Sequence, residues 1–223
     1  MDEDLTLIRE QALFRGFSPE ELREVLEELG GCTVSFEKGD SLNSLMDRQS
    51  PTALACILSG WALLLKYDAL GNQAILDFAM PSYLLGCYKV LTGADFSAIR
   101  ISATSPGRML CFNGEKLLRA ESAASHLLLS RLNGNILTML AERSWRLLKK
   151  ADIVSCHSLR EKILSFLDSQ RECYHSSSFE IPLDRQGLAD YLYVNRSALS
   201  RELSKLRDEG LIDFHKSRFV LYF

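Results

Sequence analysis

The pattern of apolar and polar positions changes three times along the chain. Residues 18–31 begin with Ser-Pro-Glu-Glu, continue with apolar residues at helical spacing and end in two glycines, which predicts a short helix. From about residue 32 to 112, runs such as TVSF, ALACIL and AILDFAM alternate with turn signals such as KGD and ALGN. Short strands without long helical patterns between them predict an antiparallel β-barrel or β-roll.

A long helix is predicted over residues 115–150, where no proline occurs and Gly134 is the only glycine. Two offset apolar stripes on one helix need two partners. One partner is the helix's own domain, and the other is either the same helix of a second subunit or a further part of the same monomer. Gly134 marks a bend or a close helix–helix approach. We assign the dimer seam to the stripe with 3-4-3 spacing, formed by Leu129, Leu132, Ile136 and Met139.

The pattern changes again after Asp152. A helical stripe within residues 157–170 is followed by a polar loop, the short strand FEIPL, the two helical patterns of DRQGLADYLYVNRSALSRELSKLRDEGLI, and two apolar runs around HKSR. Apolar runs on both sides of a polar turn predict a β-hairpin. Helix, strand, helix–turn–helix and hairpin in this order predict a winged helix.

The second helix of this pair has the charges that DNA binding requires. Asn195 is a suitable N-cap, and residues 195–207 contain four basic residues and one acidic residue, Glu202. Arginine can donate two parallel hydrogen bonds to guanine, serines can contact bases or backbone, and a helix N-terminus favours phosphate. The alternative is an ordinary solvated helix face. The predicted DNA-binding residues are Arg185, Asn195, Arg196, Ser197, Ser200, Arg201 and Lys205.

Tyr193 stands in the turn between the two helices, where glycine is usual because the chain there often takes a positive φ. A tyrosine in that conformation costs on the order of 1 kcal/mol. We therefore expect either local strain or a different turn.

Composition limits the classes of protein that the chain can represent. It is 47% hydrophobic and 25% charged with a formal net charge of -3, so a nucleic-acid partner would have to meet a local basic surface. No apolar stretch reaches the roughly 18–20 residues of a membrane span, and the acidic start MDEDLTLIRE differs from a signal peptide, which predicts a cytoplasmic protein without a membrane partner. The six cysteines contain no CxxC pair and are predicted to be buried, reduced thiols.

Taken together, these segments resemble the catabolite activator protein / fumarate–nitrate reductase regulator (CRP/FNR) family of bacterial transcription factors. The resemblance extends over essentially the whole chain, in LFRGFSPEELREVL, FEKGD, ILSGWALLL, MPSYLLG and most specifically RQGLADYLYVNRSALSRELSKLRDEGLI. It implies an α+β fold with an N-terminal antiparallel β-roll (a cupin-like double-stranded β-helix), a long central dimerisation helix and a C-terminal winged helix–turn–helix. The corresponding predicted domains are residues 1–114, 115–152 and 153–223.

The resemblance also implies roles for particular residues. Arg196 and Arg201 match the two arginines with which such helices read DNA, whereas Ser197 replaces the glutamate that usually follows the first arginine. Serine is a weaker acceptor for cytosine N4, so the half-site is expected to differ from the family's best-known sequence. Double-stranded DNA, a second copy of the chain and RNA polymerase are the implied partners.

The sensor region departs from members that bind cyclic AMP. Those members have Gly-Glu and, further along, Arg-Ser or Arg-Thr, which meet the ribose hydroxyl and the cyclic phosphate. Here Gly86 precedes Cys87, and Phe96 precedes Ser97-Ala98, so both charged anchors are missing. A buried phosphate without its arginine would be uncompensated, which disfavours a cyclic nucleotide. The predicted effector pocket, for an unknown small molecule, consists of Leu85, Gly86, Cys87, Tyr88, Phe96, Ser97 and Arg100, the last being either an anion anchor or an outward-facing strand residue.

Other cofactors and functions fit the sequence less well. No cysteine precedes Cys32, which disfavours the N-terminal iron–sulfur cluster of some members, and haem is disfavoured because Cys87 is better explained as a buried thiol. Cupin enzymes need histidines inside the barrel, but none of the four histidines lies between residues 31 and 112, so no catalytic or metal-binding residue is predicted. The alternative to a DNA-binding regulator is a β-roll sensor whose winged helix contacts protein instead of DNA.

Overall fold

The computed structural model describes residues 2–67, 71, 73–93, 98–117 and 123–223. These residues form two compact units. The first contains the described residues up to Tyr67 and Asp77–Glu142, and the second contains Arg143–Phe223 with the described residues between Tyr67 and Asp77.

The first unit begins with helices and continues with a β-roll. Its α2 helix starts in a capping box, in which the Ser18 hydroxyl accepts from the Glu21 backbone N–H at 3.2 Å and the Glu21 carboxylate accepts from the Ser18 backbone N–H at 2.8 Å. The elements in order are α1 (Asp2–Arg9), a 3-10 turn (Ala12–Phe14), α2 (Pro19–Leu29), β1 (Cys32–Phe36), α3 (Leu42–Gln49), β2 (Ala53–Ser59), β3 (Ala62–Tyr67), β4 (Gln73–Ala79), β5 (Leu84–Leu85), α4 (Cys87–Thr92), β6 (Ile99–Ala103), β7 (Gly107–Asn113) and α5 (Gly114–Leu117).

The strands form two sheets, with the orders β1-β7-β2-β5 and β4-β3-β6. The described registers of β1 with β7, β2 with β7, β2 with β5 and β3 with β6 are all antiparallel. Alternate side chains of β2 and β7, such as Leu54, Cys56 and Leu110, pack in one core with residues of the helices. The predicted antiparallel β-roll is therefore confirmed.

The long helix α6 covers Ala123–Ser155. It lies close to the predicted interval of residues 115–150, and it contributes residues to both compact units because the division falls between Glu142 and Arg143. The division of the chain into residues 1–114, 115–152 and 153–223 stays a prediction.

The second unit is a winged helix, as predicted. After α6 come α7 (Leu159–Tyr174), β8 (Ser178–Glu180), α8 (Arg185–Leu192), α9 (Arg196–Asp208), β9 (Ile212–His215) and β10 (Arg218–Leu221). The three strands form an antiparallel sheet in the order β8-β10-β9. Phe179 on β8 and Phe219 on β10 are buried and stack on each other, so the sheet closes the core beneath the helix pair.

The cysteines are only partly as predicted. Cys56, Cys87 and Cys111 are buried, whereas Cys32 and Cys173 are exposed and Cys156 is intermediate. The prediction of six buried thiols is therefore wrong for half of them, because Cys32 and Cys173 lie at the ends of elements, where neighbouring side chains cover less of them. Among the described residues, no helix is long and apolar enough to cross a bilayer.

Candidate nucleic-acid interface

Local capping and a shared apolar core build the helix–turn–helix. The Asp184 side chain accepts from the Gly187 backbone N–H at 2.7 Å and so starts α8. Asn195 Oδ1 accepts from the backbone N–H groups of Ser197 and Ala198 at 2.9 and 3.3 Å and so starts α9. The buried faces meet through the residues expected from the helical spacing, namely Leu188, Ala189, Leu192, Leu199, Leu203 and Leu206.

The turn between the helices has the strain expected from the sequence. Tyr193 adopts the left-handed conformation with φ 55° and ψ 50°, and its backbone N–H donates to the carbonyls of the last turn of α8. A non-glycine residue in this conformation costs about 1 kcal/mol. The neighbouring aromatic rings surround a cation, since the Lys150 ammonium lies 3.9 Å from the Tyr191 ring centroid and 5.6 Å from that of Tyr193. Contacts of this kind are favourable and help to offset the strain.

The N-terminal half of α9 presents its basic side chains to solvent. Arg196, Ser197 and Arg201 are exposed and Ser200 is half-buried. Within the described part of the chain, neither arginine forms an ion pair. Both guanidinium groups can therefore meet an external anion or a base edge without first breaking an internal salt bridge.

Asn195 and Lys205, two further predicted DNA-binding residues, interact with other residues of α9. Asn195 Oδ1 accepts three hydrogen bonds, including one from the Ser197 hydroxyl at 2.6 Å, so its oxygen shapes the helix start. Lys205 lies 3.4 Å from a carboxylate oxygen of Glu202, and its side chain is otherwise exposed. Asn195 therefore shapes the start of α9, and Lys205 adds positive charge at the edge of the exposed basic face of this helix.

Arg185 connects the start of α8 with the hairpin between β9 and β10, hereafter the wing. Its guanidinium lies 4.9 Å from the Phe214 ring centroid and 5.8 Å from that of Phe219. Arg185 Nη2 also donates to the Lys216 carbonyl at 3.3 Å. Burial lowers the pKa of Arg185, and the nearby charge of Arg196 lowers it further. These contacts make Arg185 a positioning residue for the wing, close to the basic start of α9.

The wing adds basic residues that the sequence prediction did not include. His215, Lys216 and Arg218 are exposed around the tip, while Phe219 is buried beneath them. Lys216 turns the chain with φ 52°. The polar HKSR between two apolar runs was the available signal, because a basic hairpin tip beside a reading helix is suited to phosphate contacts.

An ionic cluster around Arg160 of α7 holds the C-terminal end of α9. Arg160 Nη1 donates to one oxygen of Glu209 at 2.9 Å, and its Nη2 donates to the other. The same guanidinium lies 3.7 Å from the Glu202 carboxylate. The hydrogen bonds from Arg160 lower the pKa of Glu209, and those to Glu209 raise the pKa of Arg160. The cluster therefore directs the one acid within residues 195–207 toward α7 and away from Arg196 and Arg201.

The dimer seam assigned to α6 from the sequence needs correction. Leu129, Leu132 and Ile136 are buried in the core of the first unit, and Met139 packs against that core. Leu129, Leu132 and Ile136 therefore lack the free surface that a second subunit would need. Helical spacing alone could not show this, because both stripes of the helix are apolar. The opposite face of α6 instead presents exposed residues at heptad-like spacing, namely Leu127, Ser130, Gly134, Leu137, Ala141, Trp145 and Leu148.

The predicted effector pocket stays a prediction, because two of its residues lie outside the part of the chain that the structure describes. Leu85 and Cys87 are buried, Tyr88 and Arg100 are exposed, and Phe96 and Ser97 lie outside the described residues. Gly86 has φ 87°, and a Cβ there would lie 2.6 Å from the Ala53 carbonyl oxygen, so backbone packing requires this glycine. No group of histidine, cysteine, aspartate and glutamate side chains among the described residues could hold a metal ion.

Comparison with known proteins agrees with this architecture. Residues 161–221 match the family model of the Crp-like helix-turn-helix domain. The chain is 26% identical over 177 residues to the transcriptional activator protein FnrL of Cereibacter sphaeroides, covering 75% of this chain and 68% of FnrL. It is 28% identical over 211 residues to the nitrogen fixation regulation protein FixK of Bradyrhizobium diazoefficiens, covering 92% of this chain and 83% of FixK.

Solved structures share the fold over most of the chain. The c-di-GMP responsive global regulator CLP of Xanthomonas campestris superposes with a TM-score of 0.70 at 14% identity, covering 92% of this chain and all of that one. FixK2 of Bradyrhizobium japonicum superposes with a TM-score of 0.66 at 15% identity, covering 86% of this chain and 93% of that one. Residues 161–221 thus form a Crp-like helix-turn-helix domain, and the chain as a whole is similar to transcription regulators of the CRP/FNR family in sequence and in fold.

Proposed function

We propose that the protein is a homodimer that binds a specific double-stranded DNA sequence through α9 and the wing. Its first unit responds either to a redox signal or to a small molecule other than cyclic AMP. The observation that carries the proposal is the exposed, unpaired state of Arg196 and Arg201 among the described residues, on a helix whose nearby acid is bound to Arg160. RNA polymerase is the further partner implied by the family.

Base reading is assigned to the exposed face of α9. A guanidinium can donate two parallel hydrogen bonds to guanine O6 and N7, and each such pair discriminates against a wrong base by about 1–3 kcal/mol. Ser197 and Ser200 supply shorter polar contacts, and Arg185, Lys205 and the wing supply positive charge for phosphates. The wing and the N-terminus of α9 together form a surface that suits the backbone beside a major groove.

Dimerisation is assigned to the exposed face of α6. Leu127, Leu137, Trp145 and Leu148 are large apolar side chains on that face, and Leu137 is 68% exposed. A Cβ on Gly134 would meet nothing within 4 Å, so a partner helix could approach closely there. A second copy packed about a two-fold axis would cover the same stripe in both subunits and hold two copies of α9 for two half-sites.

Cyclic AMP is excluded from the proposal on chemical grounds. The residue after Gly86 is a buried cysteine, which supplies no carboxylate for ribose hydroxyls. The sequence Phe96-Ser97-Ala98 supplies no arginine for a cyclic phosphate. Burying that phosphate without a positive partner would be strongly unfavourable.

Selection of bound duplexes from a random pool, followed by titration of the selected duplex, tests the proposal. Arg201→Ala is expected to weaken specific binding by roughly 5- to 150-fold, the equivalent of about 1–3 kcal/mol. Arg23→Ala, which removes the same charge from an exposed position on α2, is the matched control and should leave affinity unchanged. Affinity for the duplex should fall steeply with salt, because phosphates recover counterions.

The same titration separates DNA binding from the alternative of a protein-interaction module. A chain that selects no sequence from the pool, with or without metabolite extract, would contradict the DNA-binding proposal. Equal binding by Arg201→Ala and the wild type would show that Arg201 does not read the operator. Addition of cyclic AMP should change neither affinity nor thermal stability.

A further inference from the structure

Two cysteines face each other across adjacent strands of the first unit. Cys32 is the first residue of β1, and its register partner on β7 is Cys111. Side chains directly opposite each other in an antiparallel pair lie on the same face, with Cβ atoms about 4.5–5.5 Å apart. Their Cα atoms lie about 4.5 or 5.5 Å apart, within the range of about 4.4–6.8 Å that a disulfide tolerates. A small closing movement would bring the two sulfurs into bonding distance.

Both cysteines also line one solvent-open cavity of about 210 Å³. Cys32 is exposed at its rim, and Cys111 is buried against the sheet. Gln49 Oε1, which lines the same cavity, accepts a hydrogen bond from the Cys32 thiol at 3.5 Å. A small oxidant can therefore reach Cys32 first, with Cys111 next to it.

A second pair in the same unit supplies an internal comparison. Cys87 lies close enough to Cys56 to contribute to the raised pKa of Cys56, but both residues are buried in the hydrophobic core. Neither of them lines the cavity that contains Cys32 and Cys111. Proximity without access should leave these two thiols reduced.

We propose that Cys32 and Cys111 form an intrachain disulfide when the protein meets a peroxide. The Cys32 thiolate attacks one peroxide oxygen and breaks the O–O bond, giving a sulfenic acid at Cys32 and, after protonation, one water. The Cys111 thiolate then attacks the Cys32 sulfur and displaces hydroxide, which takes up a proton to become the second water. Two thiols and one hydrogen peroxide thus give one disulfide and two waters.

The electrostatics of the site set the conditions for this reaction. Burial, together with a smaller effect of the neighbouring Cys32, raises the pKa of Cys111 to about 12, and burial also raises the pKa of Cys32. Because the thiolate is the nucleophile, both steps should be slow at neutral pH and faster as pH rises. The pair is therefore suited to sustained oxidation and not to a rapid peroxide response.

The bond would constrain most of the first unit. β1 is an edge strand of the sheet β1-β7-β2-β5. The chain between the two cysteines contains all of the strands β2 to β6. Joining β1 to β7 would close that long loop covalently and prevent the edge strand from leaving the sheet. We expect the oxidised first unit to resist unfolding more than the reduced one.

The test uses the full chain, first fully reduced and then treated with hydrogen peroxide at pH 7 and pH 8.5. Peptide mapping without reduction should show the fragments containing Cys32 and Cys111 linked, with two of the six thiols lost and faster loss at the higher pH. Cys32→Ser, a change at an exposed position, should abolish the linked fragment. Cys156→Ser and Cys173→Ser are the matched controls and should retain it. Oxidation should raise the melting temperature of the wild type and leave that of Cys32→Ser unchanged.

Three outcomes would overturn the inference: Cys32 oxidised to sulfinic acid with Cys111 still reduced, a disulfide between two chains through Cys32, or a bond between Cys56 and Cys87. The inference specifies the redox option of the proposed function, but its readout does not depend on DNA. A chain that forms the bond and ignores DNA would refute the proposed function alone. A chain that binds DNA and keeps both thiols under peroxide would refute this inference alone.

Discussion

Leu137 provides the sharpest test of how the protein dimerises. Its side chain is 68% exposed, whereas the opposite face of α6 is buried in the first unit. Leu137 lies one helical turn after Gly134. In a two-fold symmetric pair, each subunit would bury its own Leu137. Leu137→Ala should therefore weaken the dimer without unfolding the monomer, because this side chain contributes little to the core of the first unit.

The expected magnitude follows from the exposed fraction. Full burial of a leucine side chain contributes about 1.5–3 kcal/mol. With roughly two-thirds of the side chain available, each subunit would gain about 1–2 kcal/mol and the dimer about 2–4 kcal/mol. Removal of both copies should raise the dimer dissociation constant by roughly 30- to 700-fold.

Sedimentation velocity over a range of protein concentrations measures this constant directly. Leu91→Ala is the matched control, since Leu91 is 47% exposed but lies on α4, outside the α6 stripe, and its removal should not affect dimerisation. Leu129→Ala tests the seam assigned from the sequence, because truncating this buried residue should cost about 2–5 kcal/mol of folding stability. The reasoning fails if Leu137→Ala dimerises like the wild type, or if the wild type stays monomeric at every concentration.

Three further predictions concern the second unit. His175 ends α7 with φ 48°, so His175→Gly should raise the free energy of unfolding in urea by about 1 kcal/mol, and an unchanged or lower value would contradict the strain. Asn195→Ala removes the cap of α9 and should lower that free energy by about 1 kcal/mol while weakening operator binding; retention of both properties would exclude the capping role. The pKa of Glu209 is held below its ordinary 4.5 by hydrogen bonds from Arg160, so this stabilisation is present above pH 4.5 and is lost as pH falls through the lowered pKa. The free energy of unfolding should therefore fall less steeply between pH 5 and pH 3 for Arg160→Gln than for the wild type. Equal slopes for the two proteins would exclude the linkage.

The winged helix could be predicted because its signals are local. Asp184 and Asn195 cap their helices through side chains two or three residues from their partners, and the apolar stripes repeat at helical spacing. The hairpin likewise follows from two short apolar runs around a polar turn. These elements need no knowledge of distant residues, so the sequence contains most of what determines them.

Contacts between distant residues limited the rest of the prediction. Leu129 and Leu137 are equally apolar, and only the packing of the first unit decides that Leu129 is buried and Leu137 is exposed. Arg185 stays a predicted DNA contact, but its position over Phe214 and Phe219 could not be predicted, because these two rings lie far along the chain from it. Periodicity gives the face of a helix, and tertiary structure decides what covers that face.

The charges of the second unit are arranged in a way that folding alone does not require. Arg185 is half-buried beside Arg196, and both the burial and the second positive charge disfavour its ionised form, as its lowered pKa reflects. On the other side of α9, by contrast, Glu202 and Glu209 are both satisfied by Arg160. A surface optimised for stability would spread the positive charges or supply an acid near Arg196. Keeping like charges together and removing the acid costs stability in the free protein, and a polyanion that approaches this surface would recover it, so the arrangement favours DNA over a neutral protein partner.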